Sequence, residues 1–268
     1  SNQPSLFLNL FLYFNYFYIE PISHYMMNKK KESLMTDFSN DIRTNYTHSR
    51  PYSTQVIERE KLKKYIIDCG KYLQNHCDSK LKDYNHYMKR NNNNNNNNRK
   101  HNNMSPEELG FYEQMSYSQH TIKYDREWEI FTFGSESWGT STRDSDIDMA
   151  IFVNFSNNRP QKKYLLHSLA KIIGENDKDG ALVIKEILTA KYPIIRIKHY
   201  IHGIQIDVSI ADRFCRRRDI FIKDILKKFN HDFKIEVKPL IVFIKYWSKQ
   251  KDINNAYHCY LNSFGYTL

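Results

Sequence analysis

A chain of 268 residues has room for one domain of ordinary size with extensions, and its net charge of +10, with a pI near 9.2, suits a polyanionic partner. Its four cysteines, Cys69, Cys77, Cys215 and Cys259, are scattered and form no metal spacing, which argues against a cysteine metal site and for a reduced cytoplasmic or nuclear setting.

In chain order, residues 1–50 read as a low-complexity or disordered extension. Within it Ser5 to Ile19 is apolar and aromatic, but it is shorter than the roughly 20 residues of a spanning helix, is interrupted by Asn9 and Asn15, and has no basic flank. No membrane partner is expected, and Met26, Met27 and Met35 are candidate starts. Residues 51–79 hold an amphipathic helix, Val56 to His76, with Val56, Ile57, Leu62, Tyr65, Ile66, Cys69 and Leu73 as its apolar set. Residues 80–103 include the asparagine run Asn91 to Asn98, which has nothing to bury, and read as a flexible insertion. A helix starts at Ser105, an N-cap followed by Pro106, and runs towards His120. Strands are expected at Trp128–Phe133 and Ile147–Phe155, and a helix from Pro160 or Lys162 to Ile173. Further strands follow at Ala181–Ala190, Pro193–Tyr200 and Gly203–Ile210. Arg216, Arg217 and Arg218 read as a solvated loop, with contact to an RNA backbone as the alternative; Ile220–Phe229 and Val237–Lys251 are helical. The fold class is α/β, a short mixed sheet backed by helices, with residues 104–230 as the catalytic domain and 231–268 as the start of a helical one.

The segment between the first two strands carries most of the chemistry. Asp146 and Asp148 are two residues apart, so on a strand they leave one face together. Two carboxylates forced together repel, and a divalent cation relieves them. Upstream, the turn at Gly134 and Ser135 offers backbone N–H groups and a hydroxyl to phosphate oxygens. Asp207 is the one charge inside an apolar strand, a position that is costly unless it meets a metal or a cation. If its strand lies beside that of Asp146 and Asp148, three carboxylates can hold two Mg²⁺ ions, the layout of phosphoryl or nucleotidyl transfer.

Gly134-Ser135, Asp146-Ile147-Asp148 and the later Asp207, joined to Ile244-Lys-Tyr-Trp-Ser-Lys249 and Asn262-Ser-Phe264, resemble the noncanonical poly(A) polymerases and terminal uridylyltransferases of the DNA polymerase β-like nucleotidyltransferase superfamily. The resemblance covers about half the chain, Trp128 to Leu268. It implies a polymerase β-like nucleotidyltransferase fold and template-independent addition of AMP or UMP to an RNA 3′ end, from ATP or UTP. Asp146, Asp148 and Asp207 would be the catalytic metal ligands for Mg²⁺ or Mn²⁺, with Asp207 helping to activate the RNA 3′-hydroxyl. Ser135, Lys245, Lys249 and Ser263 would contact phosphates, with Gly134 in the same turn. Phe264 would stack on the base in place of the usual tyrosine, and Asp212 stands where an asparagine often contacts the ribose. The helix of residues 51–79 would pack on the second domain. The partners implied are the RNA and the nucleotide, with an RNA-binding protein as a further partner. The chain ends at Leu268, where another helix of the second domain would begin, so that domain is expected to be incomplete. The alternatives are an inactive, truncated RNA-binding remnant and a transferase for another acceptor, similar to the oligoadenylate synthetases.

Overall fold

The computed structural model describes residues 30–93, 105, 106, 108–113, 128–153, 159–211, 213–232, 237–251 and 253. Expectations that fall on residues 1–29, 94–104 and 114–127 lie outside them. The helices are α1 (Lys30–Ser49), α2 (Ser53–Asn93), α3 (Gly134–Trp138), α4 (Arg159–Asn176), α5 (Arg213–Asp232) and α6 (Val237–Gln250). The strands are β1 (Glu129–Phe133), β2 (Ile147–Phe152), β3 (Leu182–Ile187), β4 (Ile194–His199) and β5 (Ile204–Ala211). Residues 108–113 form a further short helix, and Ser105 caps it: its Oγ accepts from the Glu108 N–H at 3.1 Å.

The five strands form one mixed sheet in the order β1-β2-β5-β4-β3. β2 and β5 run parallel in the middle, and every other neighbouring pair is antiparallel. The two central strands alternate, save for the buried Ala150 and Ala211. Ile147, Met149 and Ile151 of β2, with Ile206 and Val208 of β5, are buried on one face, where Leu165, Leu166, Leu169 and Ile173 of α4 meet them in a single core. Asp148 and Asp207 therefore project from the other face. A smaller cluster, Trp138, Ile222, Leu226 and Ile241, joins α3, α5 and α6.

Three expectations are corrected here. The insertion expected over residues 80–103 begins as helix, because α2 runs on to Asn93. Leu62, Ile66, Cys69, Leu73, Cys77 and Leu81 make one buried stripe, and Leu81 prolongs it by a turn. Among the described residues that stripe packs on the sheet and α4. Gly70 allows the approach, since a side chain there would collide with Ile130. Residues 1–50 are not disordered throughout: α1 packs on α6, and Phe38 meets Phe243 edge-on with centroids 5.7 Å apart. Finally, Arg216, Arg217 and Arg218 belong to the first turns of α5, not to a loop. Cys69 and Cys77 are free thiols in the core, and among the described residues no helix is long and apolar enough to cross a membrane.

Candidate active site

The Gly134 turn joins β1 to α3, and two facts require glycine there. Its φ is 68°, and a Cβ would stand 3.0 Å from Asp148 Oδ2. The turn is held from behind by Asp219 of α5, which is buried. Its Oδ1 accepts from the Gly134 N–H at 3.1 Å and from Trp138 Nε1 at 2.7 Å. Its Oδ2 accepts from Ser137 Oγ at 2.8 Å and pairs with Lys223 Nζ at 2.9 Å. The Gly134 N–H is thus committed to the protein and is not the phosphate donor expected of it. This glycine contributes shape, while Ser135 lines the cleft.

A second buried network anchors the loop that leads to the acids. Arg59 of α2 donates NH2 to Glu136 Oε2 at 2.8 Å and NH1 to the Ser145 carbonyl at 2.9 Å. Lys63 pairs with the other Glu136 oxygen at 3.1 Å. Burial opposes the Glu136 charge, but the two cations outweigh it and hold its carboxyl below the usual range. Arg50 donates to the Gly139 and Ser141 carbonyls, and Arg143 to the His48 carbonyl, so the end of α1 is stitched to the same loop.

Parallel pairing sets Asp148 directly beside Asp207, which meets the condition left open in the sequence, while Asp146 sits just before β2 rather than within it. The pKa values report crowding. Burial raises Asp146, and the Asp207 charge adds to it. Burial pushes Asp148 up to about 7, helped by Asp207 and Asp146. Asp207 has met a cation: Arg196, opposite it on β4, donates Nε to Oδ1 at 2.9 Å and NH2 to Oδ2 at 2.7 Å. Among the described residues no three acidic, histidine or cysteine side chains stand together as a ready metal set. The guanidinium fork takes both Asp207 oxygens here, so Asp207 can join Asp146 and Asp148 in a three-carboxylate set only when Arg196 releases one of them. Asp146 and Asp148 nonetheless fit a hard divalent cation, being oxygen donors that burial and mutual repulsion leave short of positive charge.

A cleft of about 600 Å³ collects Ser135, Asp146, Asp148, Lys245 and Lys249. Lys245 and Lys249 stand one turn apart on α6, as their spacing predicts. Burial lowers Lys245 to about 8 against the pull of Asp148, and its Nζ donates to the Thr140 carbonyl at 3.3 Å. Lys249 Nζ is 3.9 Å from Asp144 Oδ2. Asp212, Ser263 and Phe264 lie outside the described residues. Sequence reasoning missed Arg59, Asp219, Arg196 and the Asn45–Ser49 wall. Arg59 and Asp219 carried a signal, a charge at helical spacing on the face that also holds Leu62 or Ile222 and Leu226.

Residues 90–217 match the family model for the central palm domain of mitochondrial-like poly(A) RNA polymerase. The terminal uridylyltransferase cid1 of Schizosaccharomyces pombe is 25% identical over 146 residues, 52% of this chain and 33% of that protein. The poly(A) RNA polymerase GLD2 of Danio rerio is 26% identical over 148 residues, again 52% of this chain and 27% of the relative. The chain thus spans a third or less of the length of these relatives. A crystal structure of the Cid1 poly(U) polymerase with MgGTP bound superposes with a TM-score of 0.55 at 17% identity, over 86% of this chain and 54% of that one. The homologues are terminal uridylyltransferases and poly(A) RNA polymerases, and the fold is the polymerase β-like nucleotidyltransferase fold they share.

Proposed function

We propose that this chain carries the catalytic half of a template-independent RNA 3′-terminal nucleotidyltransferase that uses ATP or UTP. The observation that carries the reading is the parallel register of Asp148 with Asp207 beside the Gly134–Ser135 turn, in one cleft with Lys245 and Lys249. Carboxylates on a rigid sheet facing lysines on a helix are what a polyphosphate and its cation require.

Lys245 and Lys249 would neutralise the triphosphate, and the Ser135 hydroxyl would donate to a phosphate oxygen. Asp146 and Asp148, with Asp207 once Arg196 yields an oxygen, would hold Mg²⁺ or Mn²⁺; when bound, the ion supplies Lewis-acid stabilisation of charge on the reacting oxygens. Asp207 would take the proton of the RNA 3′-hydroxyl. The freed oxygen bonds to the α-phosphorus, the bond to the bridging oxygen breaks, and pyrophosphate leaves. Arg196 orients Asp207 throughout, which makes it a positioning residue. Neither alternative reading, inactive remnant or transferase for another acceptor, is favoured by the homologues.

The test is a 5′-labelled oligoribonucleotide incubated with the protein, Mg²⁺ and each of the four nucleotides in turn. The proposal expects a ladder with ATP or UTP that disappears in Asp146→Ala. A ladder of unchanged intensity in that variant contradicts it.

A further inference from the structure

The outer face of α5 exposes large aromatic side chains among arginines. Asp219, Ile222 and Leu226 turn inward. On the opposite side Phe214, Arg217, Arg218 and Phe221 follow the i, i+3, i+4, i+7 pattern and form one stripe. Phe214 is 74% exposed, more than any other large apolar side chain among the described residues, and Phe221 is 63% exposed. Two phenylalanines left in water with two arginines between them are not the solvated polar face that an amphipathic helix normally presents. The whole helix carries Arg213, Arg216, Arg217, Arg218, Lys223, Lys227 and Lys228 against Asp219, Asp224 and Asp232. Asp219 and Lys223 pair with each other, and Arg216 is held by Glu129 at 2.9 Å and over the Phe131 ring at 5.0 Å. The start of α5 is therefore fixed against the sheet edge and presents its stripe rigidly.

We infer that this stripe is a docking track for single-stranded RNA, with Phe214 and Phe221 as base-stacking platforms and Arg217 and Arg218 as phosphate contacts. This rests on the proposed reading that the acceptor is an RNA 3′ end. Two observations favour RNA as occupant. Aromatic faces alternating with guanidinium groups are the sequence-tolerant means of holding unpaired bases and their backbone. The chain is strongly basic at +10. The two phenylalanines are about 10 Å apart along the helix axis at a 1.5 Å rise per residue, which leaves room for one stacked base on each and a phosphate between.

The experiment is fluorescence anisotropy with labelled 15-nucleotide oligo(A) and oligo(U), in EDTA and without nucleotide, so that it reads RNA binding and not transfer. The combined variant Phe214→Ala and Phe221→Ala should bind at least tenfold more weakly, with the salt dependence unchanged. Arg217→Ala should weaken binding and flatten the slope of log affinity against log salt by about 0.7. Both variants should keep the melting temperature and the affinity for magnesium-nucleotide of the parent. RNA affinity within twofold of the parent in the phenylalanine variant overturns the inference. So does a variant that merely self-associates less while binding RNA as before, because the stripe would then be a protein contact. If the parent transfers no nucleotide yet loses RNA affinity on these substitutions, the track stands and the enzymatic reading falls.

Discussion

The two sides of the cleft are built on different principles. On the sheet side, Asp148 and Asp207 are fixed by backbone pairing. The turn beside them hangs on Asp219, and the loop before them on Arg59 and Glu136, through charged groups that are buried and almost fully partnered. On the helical side, α1 and α6 meet through an edge-on aromatic pair, and Leu240, Tyr246 and Trp247 remain more than two-fifths exposed. The difference teaches that geometry is invested where bonds are made and broken, and adaptability where a nucleotide must enter and leave.

The contrast breaks first at Asp219. Asp219→Ala leaves the Gly134 N–H, Ser137 and the Trp138 indole without their acceptor and should cost about 3–5 kcal/mol in urea unfolding. A cost below about 1 kcal/mol would mean that the turn holds itself. Arg59→Met comes next, at about 2–4 kcal/mol, because Glu136 keeps only Lys63. Adding Glu136→Gln should recover part of that loss, and simple additivity in the double-mutant cycle would show that the pair is not coupled.

Asp148 runs the other way. Its folded pKa stands at about 7 against an unfolded value near 3.8, so between those pH values the native state keeps a proton that the unfolded chain has lost. Stability in EDTA should therefore fall as pH rises from about 4 to 7. Asp148→Asn should remove that slope and leave the metal-free protein about 1–3 kcal/mol more stable at pH 8. A variant no more stable than the parent at pH 8 would mean that this carboxylate is not strained. The smallest effect belongs to the helical side: Phe38→Ala should cost about 1 kcal/mol, with Phe38 already 47% exposed. A loss as large as that of Asp219→Ala would erase the distinction.

The same division explains what was legible in the sequence. The apolar runs of β1, β2 and β5 placed the sheet; Gly134 stood out as the break in the first run, Asp146 and Asp148 by their spacing, and Asp207 as a charge inside an apolar strand. α1 went unread because its apolar residues, Leu34, Met35, Phe38, Ile42 and Tyr46, are thinly spaced among polar ones, and Phe38 meets its partner on α6, some two hundred residues away in the chain. Lys80 to Asn93 was misread because the asparagines hid Leu81, one apolar residue that extends a stripe begun at Leu62. Arg196 lies in the strand expected at Pro193–Tyr200, but its bond to Asp207 depends on a β4–β5 register that sequence does not print.

Steady-state primer extension of the parent, Asp148→Asn and Lys249→Ala, with kcat and KM for the nucleotide resolved separately, tests the central claim most directly. The sheet-borne carboxylates are assigned to the chemistry and the helical lysine to binding. Asp148→Asn should therefore lose kcat below detection, whereas Lys249→Ala should raise KM and hold kcat within a few-fold. A measurable kcat in Asp148→Asn close to that of the parent would contradict the account.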